Sequence, residues 1–305
     1  MRYERILAEA TATPWVIEPA RGERLAELLS ARFSGQAATA DEIAAAKEIA
    51  SERDKRRAKS KPKAVALLPV YGVLSHRADF FTEVSGMTSY ETLGRQINDA
   101  AAEPGVEAIV LDIDSPGGTV YGVEQAALKI RAAAGKKKVI AVVNALAASG
   151  AYWLAAQASE IVVSPDGEVG SIGVYQMHKD VSRAADAQGV KVTYVKAGKH
   201  KTAGNPYEPL GPDAAAQLQQ GVDDYYDLFV RAVARGRNVS LTQVRTGFGE
   251  GGTVRAKQAV VEGMADKIGT LDDVLGRYGA SAADYMALQP DRTDIEIRRR
   301  RMQMG

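Results

Sequence analysis

No cysteine occurs in the 305 residues. Disulfide scaffolds, thiolate zinc sites and cysteine nucleophiles are therefore excluded, and the compartment cannot be read from redox chemistry. Histidine is scarce as well. His76, His178 and His200 are the only three, none lies in a recognisable triad motif, and the chain has no G-x-S-x-G elbow. A charge excess is also missing: 39 basic against 38 acidic residues leave a formal net charge of +1, which gives no support for a nucleic-acid partner. The opening "MRYERILAEATATPWVIEP" carries charges at positions 2, 4, 5, 9 and 18, with no apolar core leading to a cleavage site. It is not read as a secretory signal.

Long apolar runs are nearly absent too. The exception is the uncharged stretch 139–159, whose 21 residues are enough to cross a bilayer. Alanine dominates it, however, and Asn144, Ser149, Gly150 and Gln157 interrupt it, so insertion would gain little. It also divides by pattern: "KVIAVV" is a β-branched strand run, and "SGAYWLAAQA" is a helix-like run opening at a serine. A buried strand feeding a buried helix, in a chain without a membrane span, is the expectation.

What is present is organised. Residues 1–63 read as a helical, charge-rich N-terminal arm and linker. Thr39 and Glu42 stand in capping-box spacing, and Ile43, Ala46, Ile49 and Ala50 share a face. The basic tract between Arg53 and Lys63 is read as a solvated linker, with docking to an acidic partner as the alternative. From Ala64 the short apolar runs "AVALLPV", "VEAIVLDI", "KKVIAVV", "EIVVS" and "VKVTYV" alternate with helical patterns near 88–103, 119–134, 149–158 and 178–188. Strands alternating with helices argue for an α/β fold with a largely parallel sheet. A long helix over 211–236 and two short ones follow, and a domain over 64–275 is expected. The basic tail 276–305, with four consecutive arginines at 298–301, shows no core-forming pattern.

Four punctuated motifs fall at the ends of expected strands, where α/β folds place their sites. In "DIDSPGGTVYG", paired Gly117 and Gly118 permit a turn that exposes peptide N–H groups at a helix start, able to hold an anion or an oxyanion. In "AASGAYW", Ser149 stands where strand gives way to helix, as an N-cap or as a reactive hydroxyl. In "EVGSIGVY", Gly170 and Gly173 bracket Ser171 in a tight path or a bulged strand edge. In "VKAGKHKTAGNPYEPLG", Lys196, Lys199, His200 and Lys201 precede a turn. A serine nucleophile needs a base. Histidine offers no motif here, and lysine is the alternative, because an ammonium group buried in an apolar site loses hydration and becomes a neutral amine.

The co-linear series "DSPGG", "ASGAYW", "VGSIGV", "GKHKTAGNPYEPL" and "AVVEGMADKIG", spanning roughly residues 64–275, resembles the SppA-type serine peptidases and their phage head-maturation relatives. The resemblance implies a ClpP/crotonase-like spiral of ββα units, assembled as a homo-oligomer, and a Ser–Lys dyad working without metal or cofactor. By position, Ser149 matches the nucleophile, and Lys201, the second lysine of K-x-K, matches the general base; Lys199 and His200 are its rivals. Ser171 matches the serine that orients the amine. Gly118 and Gly150 match oxyanion donors, and Gly117 and Gly173 border the path of an extended substrate. Ala151, where many members have a second glycine, departs from the pattern.

The charged arm in place of an anchor makes the chain look like the phage or prophage head-protease branch. That branch acts on scaffold, portal or coat protein in the host cytoplasm or procapsid. The alternatives are a soluble bacterial peptidase acting on signal-peptide remnants or cytosolic polypeptides, a catalytically silent capsid scaffold protein, and a crotonase-type acyl-CoA enzyme. Neither basic tract is read as a nucleic-acid site.

Overall fold

The computed structural model describes residues 15–17, 65–77 and 88–280. The expected arm helix at 39–50, the basic tract before residue 64 and the arginine run at 298–301 lie outside them. Nine strands form one sheet: β1 Trp15–Ile17, β2 Val65–Ser75, β3 Thr88–Ser89, β4 Ala108–Thr119, β5 Lys138–Ala148, β6 Glu160–Val163, β7 Glu168–Gly170, β8 Thr253–Arg255 and β9 Lys267–Ile268. The main path, β3-β2-β4-β5-β6-β9, is parallel throughout. The α/β class expected from the alternation is what forms, because parallel neighbours need crossover segments and helices supply them.

The central strands are β-branched and buried on both faces, as parallel strands require. Ile109, Leu111, Ile113, Val139, Ala141 and Val143 face one core, and Val110, Ile140, Val142 and Val162 face another. Helix α1, Tyr90–Ala102, begins at Ser89, whose side chain accepts from the Thr92 N–H, and buries Tyr90, Leu93, Ile97 and Ala100 at helical spacing. Helix α2, Val123–Ala134, buries Val123, Ala126, Ala127, Ile130 and Ala133. The 139–159 stretch divides as expected, β5 leading into the buried helix α3, Gly150–Ala155. Among the described residues no helix is long and apolar enough to cross a membrane.

Helix α4, Ser182–Ala187, is shorter than the pattern over 178–188. Helix α5, Pro212–Arg237, buries its C-terminal half through Phe229, Val230, Ala232, Val233 and Ala234. There Phe229 stacks on Trp153, with ring centroids 4.6 Å apart, worth about 1 kcal/mol beyond the area buried. Helices α6, Leu241–Thr246, α7, Ala256–Glu262, and α8, Leu271–Gly276, complete the fold.

Two expectations are corrected. "VKVTYV" forms no strand: residues 190–195 are exposed, with Val195 at 100%. A β-branched run becomes a strand only where a neighbour accepts its backbone hydrogen bonds, and among the described residues none lies alongside. Nor is Pro-Gly-Gly a turn at a helix start. Ser115, Pro116, Gly117 and Gly118 all belong to β4, and α2 opens later, after Gly122. A register shift between Ile113 and Ser115 against β5, and another at Tyr71/Val73 on β2, let the strand continue.

Candidate active site

The sheet forks at the carboxyl ends of its central strands. β4 and β5 pair for the last time at Ser115 and Ala147. Beyond that point β4 stays with β2, Gly117 opposite Val73 and Gly118 opposite Leu74, while β5 stays with β7, which follows β6 on its other side from Leu146 onward. The last register pair on that branch is Ala148 with Gly170. The next residue on each strand is a serine, so Ser149 and Ser171 emerge side by side. Their backbones are tied down: the Ser149 N–H donates to the Gly170 carbonyl at 2.7 Å, and the Ser171 N–H to the Gly252 carbonyl at 2.7 Å.

Both serines are buried, at 1% and 7% exposure, and both hold positive φ, 55° and 52°. Such values are uncommon for a side-chain-bearing residue, cost of order 1–3 kcal/mol, and gather at functional sites. Ser149 has ψ −122°, the mirror image of the first central position of a type II turn, which glycine ordinarily fills. It stands at the N-cap of α3 yet makes no side-chain cap bond. The N-cap interpretation therefore fails as an account of its hydroxyl. The N–H of Gly150, at the first position of α3, has no partner within the helix by helix geometry.

Across the fork lies the glycine segment. The Ser115 hydroxyl donates to the Gly72 carbonyl at 2.6 Å and accepts from the Gly117 N–H at 3.2 Å. Gly117 holds φ 96°. Gly118 must be glycine for a different reason: a Cβ there would stand 1.8 Å from the Leu74 carbonyl oxygen. The Tyr90 hydroxyl donates to the Thr119 carbonyl at 3.1 Å, anchoring the far end. Burial pushes the Tyr90 phenol up, which keeps it a neutral donor. On the other side of the fork, Gly173 lines a groove of about 320 Å³ together with Ile172, Val174, Tyr226 and Arg245.

The lysines stand apart. Lys201 lies in the exposed turn region 198–204, and no hydrogen bond or ion pair joins its amine to Ser149, Ser171 or any other described residue. Lys199 pairs with Asp213 at 3.1 Å on the surface, and the Lys196 amine donates to the Thr202 hydroxyl at 3.0 Å. Both rivals near the motif are solvated, His200 included. The structure thus gathers Ser149, Ser171, Gly117, Gly118 and Gly150 around one fork and leaves Lys201 outside it. Among the described residues no group of acidic or histidine side chains could hold a metal.

The motifs did not reveal a buried polar brace beneath the fork. Asp112 accepts from the Tyr71 hydroxyl and the Asn144 amide, linking β2, β4 and β5. The Asn144 carbonyl in turn accepts from the Ser164 hydroxyl at 2.7 Å. The only available signal was an aspartate inside an otherwise apolar strand run, which demands partners when buried.

A mainly parallel sheet with crossover helices, forked around a strained serine at the carboxyl ends of its central strands, defines the chain as an α/β protein. Comparison with known proteins supplies the family. The model of Peptidase family S49 matches residues 131–290, over half of the chain, and the chain belongs to that family. It is 31% identical over 282 residues to Capsid assembly protease C of Escherichia phage lambda, covering 88% of this chain and 64% of that protein. It is 33% identical over 211 residues to the Head-tail preconnector protein GP5 of Enterobacteria phage P21, covering 69% and 42%. The chain therefore spans about two-fifths to two-thirds of the length of these curated relatives. Among solved structures, the 1510-N membrane protease specific for a stomatin homolog from Pyrococcus horikoshii aligns with 72% of this chain and 79% of its own, at 15% identity and TM-score 0.43.

Proposed function

We propose that the chain is a serine endopeptidase using Ser149 as nucleophile and Lys201 as general base, and that it cleaves scaffold, portal or coat protein during phage capsid maturation. The observation that carries the catalytic half is the fork: a strained, buried serine, free of capping duty, between a glycine strand and a second strained serine. Lys201, as a neutral amine, takes the Ser149 proton while the serine oxygen bonds to the scissile carbonyl carbon. The carbonyl electron pair moves onto oxygen, and N–H groups at Gly118 and Gly150 hold that charge. Lysine then returns the proton to the leaving amine as the C–N bond breaks. A water molecule repeats the cycle on the acyl-enzyme and restores the serine. Ser171 orients the amine, and Gly117 and Gly173 border the extended substrate.

Assembly brings the lysine to the site in this proposal. The segment ahead of it exposes Val190, Val192, Tyr194 and Val195, an apolar, strand-forming surface suited to a second copy of the chain. A homo-oligomer in which this segment pairs with a neighbour would carry Lys201 towards a serine. The capsid role is supported by the names of the two phage relatives. The working location would then be the host cytoplasm or the procapsid.

A serine-directed fluorophosphonate probe tests the nucleophile: labelling of wild type and none of Ser149→Ala is expected, and equal labelling overturns the assignment. Incubation with candidate capsid or scaffold protein, with mass-spectrometric mapping of new termini, tests the substrate. Full cleavage by Lys201→Ala would transfer the base role elsewhere, and His200 would be examined first. An intact partner protein beside a labelled Ser149 would retain the peptidase and discard the capsid substrate.

A further inference from the structure

The branch of β4 beyond the fork has two sides. β2 takes one; the other has lost β5, and there β1 pairs antiparallel, Trp15 with Thr119, Val16 with Gly118 and Ile17 with Gly117. Successive strand residues direct their backbone groups to opposite sides, so this edge can satisfy an added strand from either the same chain or another. An open edge of this kind is a ready template for extended polypeptide. It is also the edge bearing the glycine assigned above to the oxyanion, and Val16 stands in register with it.

We propose that Trp15–Ile17 is an internal pseudosubstrate: it fills, in antiparallel register, the edge Gly117–Thr119 that an incoming polypeptide would pair with, and polypeptides reach Ser149 by displacing it. The identification of that edge with the reacting one rests on the catalytic reading above. Three paired residues are marginal as an isolated strand, so the plug is displaceable. Its advantage is the covalent tether. Forty-seven residues separate Ile17 from Val65, and tethering of this kind supplies an effective concentration of roughly millimolar. Against a peptide at ~10 µM, the tethered strand then holds about a hundredfold advantage.

The lack of cysteine makes the register directly testable in the full chain. Opposed residues of an antiparallel pair have Cα atoms about 4.5–5.5 Å apart, within disulfide range. Trp15→Cys with Thr119→Cys is expected to form an intramolecular disulfide under mild oxidation, at least tenfold faster than Glu18→Cys with Thr119→Cys. Equal rates, or no crosslink, overturn the pairing. Occupancy is tested in Ser149→Ala chains by fluorescence anisotropy of a labelled peptide, TATPWVIEPA, the sequence of residues 11–20. Val16→Pro/Ile17→Pro removes ladder donors from the plug and is expected to raise peptide affinity at least tenfold. Unchanged affinity, with hydrogen exchange of residues 139–143 confirming an intact core, overturns the proposal. Neither readout needs catalysis, so a chain that never labels at Ser149 would refute the peptidase reading and leave the strand standing.

Discussion

Replacing Ser149 by glycine and, separately, by alanine divides the serine's chemistry from its strain. The hydroxyl makes no cap bond, and no hydrogen bond joins it to another described residue, so Ser149→Ala removes no native bond and keeps a Cβ at φ 55°. Its stability should stay within ~0.5 kcal/mol of wild type. Ser149→Gly relieves a backbone cost of about 1–3 kcal/mol and adds about 0.5–1 kcal/mol of chain entropy lost on folding. The glycine variant should therefore exceed the alanine variant by ~1 kcal/mol, about 2–4 °C in Tm for a domain of this size. Urea unfolding followed by circular dichroism, with calorimetry in parallel, measures the difference. Both variants should lose fluorophosphonate labelling. A glycine variant no more stable than the alanine variant would refute the claim that strain is stored at this serine.

Gly118→Ala places a methyl group 1.8 Å from the Leu74 carbonyl oxygen, so backbone must move; a loss of about 1–3 kcal/mol is expected, and misplacing one oxyanion donor should lower acylation about a hundredfold. Gly173→Ala is the contrast, since its nearest outside atom would be 4.0 Å away; stability should hold, and a rise in KM for peptide would mark that glycine as substrate-facing. Lys201→Ala removes an exposed side chain with no bonds, so melting should be unchanged while turnover falls to background, whereas Lys199→Ala should retain turnover.

Glu160 is one of the carboxylates that set the acid side, together with Asp266, whose carboxyl is raised by burial but held below its ordinary value by the Arg237 guanidinium and the Ile161 N–H. Burial raises the Glu160 pKa too, but hydrogen bonds from Arg277, Lys267 and Lys138 outweigh this and hold the carboxyl below its ordinary 4.5. A depressed carboxylate stabilises the fold above its unfolded pKa and ceases to do so as pH falls through the folded one. Tm should therefore fall as pH drops below about 4.5, and less steeply in Glu160→Gln; parallel slopes would remove Glu160 from the account.

Much of this was legible before any coordinates. The β-branched runs at 106–113 and 137–143 can be satisfied only between two apolar layers, so β4 and β5 were fixed by composition. Helices α1 and α2 follow from apolar spacing, and the change from "KVIAVV" to "SGAYW" located the strand-to-helix junction at Ser149. The order of the motifs carried the family.

Tertiary structure decided what those residues could do. Strand propensity alone placed "VKVTYV" in the sheet, yet a strand exists only where a neighbour accepts its hydrogen bonds, and the described residues offer none. Pro-Gly-Gly looked like a turn because its glycines permit one; a register shift kept it extended beside β2. The Asp112 brace joins three different strands, its own β4 and the β2 and β5 that carry Tyr71 and Asn144, and residues 15–17 meet Gly118 across a hundred positions of sequence. Local pattern reports what a segment would bury, whereas long-range pairing determines which backbone edges remain to be filled, and the fork at Ser149 is made of such edges.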